Sequence, residues 1–224
     1  FIMKRVVDVA VSTDPIEDYQ NIVEYAKELQ GYADFLHCDI MNENFVDKNT
    51  FDYNVVKSIN SASGIMLDCH LMVDEPANEV SKYIDAGANI ITLHYEAFDD
   101  KDMLAEVISY IKKNWILAGL SIKPSTPFKE IRAFAYNVDV ILVMGVEPGS
   151  SGQETMSETY DKVAEINKFK QDNNLNFKIE FDGGVNEKNA EKLRELGVDI
   201  LVSGSYVYKA KDRVKAIKFL KGLE

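Results

Sequence analysis

Short apolar runs alternate with longer amphipathic segments from one end of the chain to the other, and the alternation repeats eight times in 224 residues. The spacing predicts strands over residues 5–10, 33–40, 65–71, 89–94, 115–122, 138–143, 177–181 and 199–202. Between and after them it predicts helices near 15–29 and 51–60, one opened by Pro76, one over 101–113, a short one after Pro127, then 157–171, 187–196 and 209–223. Asp14 is read as the N-cap of the first helix and Gly31 as its terminator. Such an order makes a parallel sheet with helices outside, and eight units in this length fit a closed barrel better than an open doubly wound sheet. No Gly-rich dinucleotide fingerprint follows the first strand, which counts against the open alternative. The expectation is an α/β protein, a single (β/α)8 TIM barrel over residues 1–224, with Phe1-Ile2 standing ahead of a native start at Met3.

Charge excludes some partners. Thirty-seven acidic against 25 basic side chains give a net charge of −12, the opposite of the basic footprint that nucleic acid or an anionic membrane requires. No run approaches a membrane span, and no signal peptide is visible. Cys38 and Cys69 fall on strand positions facing away from the ionisable residues and read as buried free thiols under helices, which suits a reducing cytoplasm.

Barrels of this kind carry their chemistry at the carboxyl ends of the strands, where Asp39, His70, His94, Lys123, Glu147 and Asp182 all stand. Side chains alternate faces along a strand. His37, Asp39 and Met41 therefore share one face of the second strand, and Met66, Asp68, His70 and Met72 one face of the third. Imidazole and carboxylate together suit borderline divalent ions, so His37, Asp39, His70 and Asp182 are candidate ligands of one such ion. Each histidine taken singly also fits a core residue satisfied by a neighbouring carboxylate. Asp39 and Asp182 enter from strands 2 and 7 and could flank a flat intermediate, one carboxylate removing a proton beside a carbonyl and the other returning it from the far side. A bound metal would polarise that carbonyl. Gly183-Gly184 and Ser203-Gly204-Ser205 follow strands 7 and 8, the loops that hold phosphate in many barrels. Residues 147–153 after strand 6 form a Gly-bearing loop able to close as a lid.

The segments His37-Cys38-Asp39-Ile40-Met41, Leu67-Asp68-Cys69-His70-Leu71-Met72-Val73, Lys123-Pro124-Ser125-Thr126-Pro127, Val143-Met144-Gly145-Val146-Glu147-Pro148-Gly149, Asp182-Gly183-Gly184 and Val202-Ser203-Gly204-Ser205 stand in an order that resembles ribulose-phosphate 3-epimerases over nearly the whole chain. The resemblance implies a cytoplasmic enzyme of the pentose phosphate pathway that interconverts ribulose 5-phosphate and xylulose 5-phosphate through a metal-stabilised enediolate. It implies His37, Asp39, His70 and Asp182 as ligands of one divalent ion (zinc, ferrous iron, manganese or cobalt), with Asp39 and Asp182 also the acid and base. Met41, Met72 and Met144 would line the reacting carbons, Gly183, Gly184, Gly204 and Ser205 would meet the phosphate, and the Gly152 loop would cover it. The partners implied are a phosphorylated ketose and further copies of the chain in a homo-oligomer.

Three departures bear on the substrate's surroundings. Ungapped alignment on Asp14 puts Val9 where the family has a serine that reaches the substrate and Ser12 on its second serine. Asn42-Glu43-Asn44 replaces Asp-Gly-His, and Ser150-Ser151 replaces Phe-Gly. The wording Leu67-Asp68-Cys69-His70 and Ile91-Thr92-Leu93-His94 also resembles allulose-6-phosphate 3-epimerase, a six-carbon relative. Two other readings stay open, a Schiff-base lyase using Lys123 and a non-catalytic sugar-phosphate binder. His94 with Glu96 reads as a satisfied structural histidine, and Trp115 as packing.

Overall fold

Eight parallel strands, β1 (Asp8–Ser12), β2 (Phe35–Met41), β3 (Met66–Met72), β4 (Ile90–His94), β5 (Leu117–Ile122), β6 (Val140–Met144), β7 (Lys178–Asp182) and β8 (Ile200–Ser203), pair each with the next, and β8 pairs with β1 to close a barrel. The structure, a computed structural model, describes residues 4–149 and 152–223. Phe1-Ile2 and Ser150-Ser151 lie outside the described residues. Helices α1 (Tyr19–Leu29), α2 (Tyr53–Ala62), α3 (Val80–Ala86), α4 (Lys101–Lys113), α5 (Glu158–Asp172), α6 (Ala190–Leu196), α7 (Ser205–Tyr208) and α8 (Arg213–Lys221) complete the expected (β/α)8 architecture.

Strand parity sorts the core into two layers. Val9, Val11, Leu36, Cys38, Ile40, Leu67, Cys69 and Leu71 belong to the large cluster shared with the helices. Their alternates Ala10, Phe35, Ile90, Val140, Ile200 and Val202 form a separate apolar cluster, with Val202 reaching the cavity at the barrel mouth. Nearer the carboxyl end the same parity carries polar groups instead: Ser12, His37, Asp39, Asp68, His70, Thr92, His94, Ser121 and Glu180, all buried. Interior space is fully used there. A Cβ on Gly119 would come within 2.2 Å of Thr92 Oγ1. Cys38 and Cys69 sit opposite each other in register as buried free thiols. The neighbouring Cys69 sulfur and burial hold the Cys38 thiol well above its usual range.

A fourfold device fixes the amino end. The residue just before each even-numbered strand turns its side chain to the backbone N–H of the preceding strand: Asp34 to Val9 (2.8 Å), Asn89 to Leu67 (2.8 Å), Asp139 to Ala118 (2.9 Å) and Asp199 to Ile179 (2.8 Å). Each satisfies a donor that the barrel's end would otherwise leave open.

Boundaries move where side chains have other partners. The first strand runs to Ser12 rather than ending at Ala10, and Asp18, not Asp14, caps α1 by accepting Gln20 N–H at 2.9 Å. Asp14 is drawn instead to Lys48, 2.8 Å away. After Pro127 the chain forms two 3₁₀ segments, Phe128–Glu130 and Arg132–Tyr136. The predicted last helix shortens to α8, and α7 is a further short helix ahead of it that the spacing did not predict. Trp115 is not packing. It takes a left-handed φ of 62° between α4 and β5 and is 96 % exposed.

Candidate active site at the carboxyl ends of the strands

Register brings the first three groups together. Asp39 on β2 stands opposite His70 on β3, with His37 one inward-facing step below Asp39. Asp182, the last residue of β7, reaches in from the other side, with β8 and β1 between it and β2. His37 Nε2 lies 3.3 Å from Asp39 Oδ1, 3.5 Å from Asp182 Oδ2 and 3.3 Å from His70 Nδ1. His70 Nδ1 lies 3.4 Å from Asp39 Oδ1 and 3.8 Å from Asp182 Oδ2. All four ligand-capable atoms fall within 4.8 Å of one another. Tetrahedral ligands at about 2.0–2.2 Å from a zinc-like ion stand roughly 3.3–3.6 Å apart. The spacings fit that polyhedron, and the donor set of two imidazoles and two carboxylates fits a borderline divalent ion.

Electrostatics agree with the geometry. Burial would lower the His37 pKa, but the adjacent Asp68 and Asp39 carboxylates outweigh it and raise it well above the ordinary value. Burial would raise Asp39, but His37 and His70 outweigh it and hold the carboxyl far below the usual range. The cluster thus demands positive charge at its centre.

A cavity opens above the four. Asp39, Asp182, Met41, Met72, Met144, Gly152, Gly183, Gly184, Gly204 and Ser205 all line it, while His37 and His70 do not line it but are fully buried against Asp39 and Asp182. Its wall also holds Asp14, Glu147 and Glu154, and among the described lining residues there is no lysine or arginine. Any anion admitted here meets neutral donors, backbone N–H groups and side chains such as Ser205, Asn186 and Tyr206, and no lysine or arginine from that lining. Gly184 has φ +70°, and a Cβ there would meet Thr155 N at 2.6 Å and Gln153 O at 2.7 Å, so the loop after β7 and the lid segment touch through a bare backbone. Thr155 Oγ1 donates to Gly183 O (2.6 Å) and Asn189 Nδ2 to Gly184 O (2.9 Å), fixing that loop.

Several supporting groups escaped the sequence reading. His37 Nδ1 donates to Asp68 Oδ2 at 2.6 Å, and Glu180 Oε1 lies 3.3 Å from the same nitrogen. Burial and Asp68 push the Glu180 carboxyl well up. Ser12 Oγ donates to Asp39 Oδ2 at 2.5 Å, and Asp39 N–H donates to Thr13 Oγ1 at 3.1 Å. Parity already puts Asp68 on the inward face without giving it a role, and the same count could have found Glu180, two residues before Asp182 on β7. His94 is outside the four-atom cluster, with Nε2 2.8 Å from His70 Nε2. Burial lowers its pKa to about 4, leaving a neutral imidazole at ordinary pH. Lys123 does not line the cavity, and its Nζ lies 4.5 Å over the Phe45 ring.

Two of the departures fall away from the cavity. Val9 packs in the layer under the helices and does not line the cavity, whereas Ser12 is the β1 residue at the mouth. Asn42 turns its Nδ2 to Asp74 Oδ1 at 2.8 Å, and none of Asn42, Glu43 and Asn44 lines the cavity. The third departure, Ser150-Ser151, lies outside the described residues.

The sequence pattern of the Ribulose-phosphate 3 epimerase family matches residues 9–208. Ribulose-phosphate 3-epimerase of Mycobacterium tuberculosis is 37 % identical over 204 residues, covering 91 % of this chain and 87 % of that one. The Bacillus subtilis protein of the same name is 34 % identical over 194 residues, covering 86 % and 88 %. The chloroplastic ribulose-5-phosphate-3-epimerase of Arabidopsis thaliana is 37 % identical over 196 residues, covering 88 % and 69 %. Among solved structures, 3-hexulose-6-phosphate synthase superposes with a TM-score of 0.72 at 15 % identity, covering 96 % of this chain and 99 % of that one. A mutant tryptophan synthase alpha-subunit of Pyrococcus furiosus gives 0.71 at 16 %, covering 99 % of each. These last two speak to the fold alone.

Proposed function

Because the chain belongs to the ribulose-phosphate 3-epimerase family and is an isomerase of that kind, we propose that it interconverts ribulose 5-phosphate and xylulose 5-phosphate by two-base proton transfer at C3, with one divalent ion bound by His37, Asp39, His70 and Asp182. The observation that carries this reading is the set of 3.3–3.8 Å spacings among four ligand-capable atoms at the mouth of the barrel. The ion, when bound, supplies Lewis-acid polarisation of the ketone and charge for the oxygens of the enediolate.

This chain's own residues do the rest. Asp39 and Asp182 approach from different strands, so one carboxylate takes the C3 proton on one face of the planar intermediate and the other delivers a proton to the opposite face. Their roles exchange with direction. Ser12 holds Asp39 in place through Oδ2. Met41, Met72 and Met144 keep a polarisable, apolar surface against the reacting carbons and exclude water. The phosphate rests on backbone N–H groups around Gly184 and Gly204-Ser205, and the Gly152 loop covers it. Such a substrate enters past Asp14, Glu147 and Glu154, whose repulsion a divalent ion held by His37, Asp39, His70 and Asp182 would offset.

The test is conversion of ribulose 5-phosphate by protein loaded with zinc, ferrous iron, manganese or cobalt in turn. Activity that follows metal content and disappears on chelation is expected, with allulose 6-phosphate turned over less well. Full activity in metal-free protein contradicts the metal role, and preference for the six-carbon sugar reassigns the substrate.

A further inference from the structure

Three imidazoles stand in a row that the catalytic scheme uses only in part. His37 Nε2 faces His70 Nδ1 at 3.3 Å, His70 Nε2 faces His94 Nε2 at 2.8 Å, and His94 Nδ1 faces Glu96 Oε2 at 3.3 Å. All three histidines are fully buried. The other oxygen of Glu96, Oε1, accepts from Lys123 N–H and from Thr126 Oγ1 (2.9 Å) in the loop after β5. Lys162 on α5 holds the same loop from beneath, donating to the carbonyls of Lys123 (3.0 Å), Pro124 (2.8 Å) and Thr126 (2.7 Å).

We propose that Glu96 is a positioning residue that sets the tautomer of His70 through His94, so that His70 turns a lone pair, not a proton, towards the ligand cluster. This rests on the metal-binding reading above. Two imidazole nitrogens facing each other at 2.8 Å have room for one hydrogen between them. For His70 Nδ1 to be a ligand, its hydrogen sits on Nε2 and is donated to His94 Nε2. The hydrogen of His94 then sits on Nδ1, and only an acceptor satisfies it there. Glu96 supplies that acceptor. A carboxylate–imidazole pair behind a metal-ligating histidine is a recurrent way to fix the ring and raise its basicity, and here one more imidazole is interposed.

Glu96→Gln inverts the chain for a geometric reason. Lys123 N–H requires an acceptor at the Oε1 position and the Thr126 hydroxyl donates to the same atom, so the amide oxygen is held there and the NH₂ is forced towards His94. His94 Nδ1 must then accept, its Nε2 carries the hydrogen, His70 Nε2 accepts, and His70 Nδ1 is left protonated towards the metal. The volume of the side chain is unchanged. A merely structural role for Glu96 predicts no such reversal.

The chain contains three histidines, so imidazole nitrogen-15 NMR resolves them directly. The expected result in the wild-type protein is hydrogen on Nε2 of His70 and on Nδ1 of His94. In Glu96→Gln both are expected to switch, with zinc affinity, read by competition with a chromophoric chelator, falling about 10- to 100-fold. Hydrogen on Nε2 of His94 in the wild type, or unchanged tautomers and zinc affinity in Glu96→Gln, overturns the proposal. The wild-type spectrum decides it even where the variant fails to fold. If wild-type protein takes up no zinc, the metal-binding reading fails separately, and the tautomers still answer the question of the relay.

Discussion

His37 donates its Nδ1 hydrogen to Asp68 Oδ2 across 2.6 Å, with both side chains wholly inside the barrel. With Nδ1 committed to Asp68, Nε2 is the atom that the same ring turns towards Asp39, Asp182 and His70. Removing the charge while keeping the shape isolates this contribution. Asp68→Asn is expected to bind zinc about 10- to 100-fold more weakly, as measured by chelator competition. An unchanged affinity would show that His37 needs no orienting partner.

A ligand that binds only the folded state adds RT ln(1 + [L]/Kd), about 2.7 kcal/mol at a hundredfold excess over Kd. For a chain of this size each kcal/mol moves Tm by roughly 2–4 °C. Saturation with zinc should therefore raise Tm by about 5–10 °C, and His37→Ala or His70→Ala should abolish the rise. A shift that persists in both variants would place the ion elsewhere.

Gly184 stands where the lid segment crosses the loop after β7, at φ +70° and with no room for a Cβ beside Thr155 N and Gln153 O. Gly184→Ala strains the backbone by roughly 1–3 kcal/mol. With phosphate held by this loop, the loss is expected in kcat/KM, of about tenfold or more, while zinc affinity stays at the wild-type level. A variant with unimpaired kcat/KM would remove this loop from the substrate site.

The amino end of the barrel makes the opposite prediction. Asp139 accepts from Ala118 N–H at 2.9 Å, far from the cavity. Asp139→Ala leaves that donor unpaired and should cost about 1–3 kcal/mol in urea unfolding, with kcat/KM unaltered in the folded protein. Loss of activity without loss of stability would contradict the separation of the two ends.

Much of this arrangement is legible in the residues because strand side chains alternate strictly. Counting by twos from His37 reaches Asp39 and Met41, and counting by twos from Asp68 reaches His70 and Met72, all on the face that the barrel turns inward. The same count reaches Glu180 from Asp182, yet a buried acid without a charged partner is costly and is not expected from composition alone. Its setting beside Asp68 and His37 exists only once β7 and β3 face each other across the barrel. An alignment anchored on Asp14 carries no information about which β1 residue, Val9 or Ser12, faces inward, and Asp14 itself is not the helix cap. Asp14 pairs with Lys48 from a loop 34 residues away, and that pairing, not a helix cap, decides its position. The Glu96 contacts are hidden for a similar reason, since they join the ends of β4 and β5 and the flank of α5. Trp115 misled because an aromatic residue beside a strand ordinarily packs, whereas here a left-handed turn throws it outward.

The two-base scheme is tested most directly by converting ribulose 5-phosphate in heavy water with the metal-loaded wild-type protein and analysing C3 at low conversion. Separate carboxylates on opposite faces predict xylulose 5-phosphate with solvent deuterium at C3, in both directions of reaction. Product that retains the substrate's own C3 hydrogen would mean that a single group carries the proton from one face to the other, and the account built on Asp39 and Asp182 would be wrong.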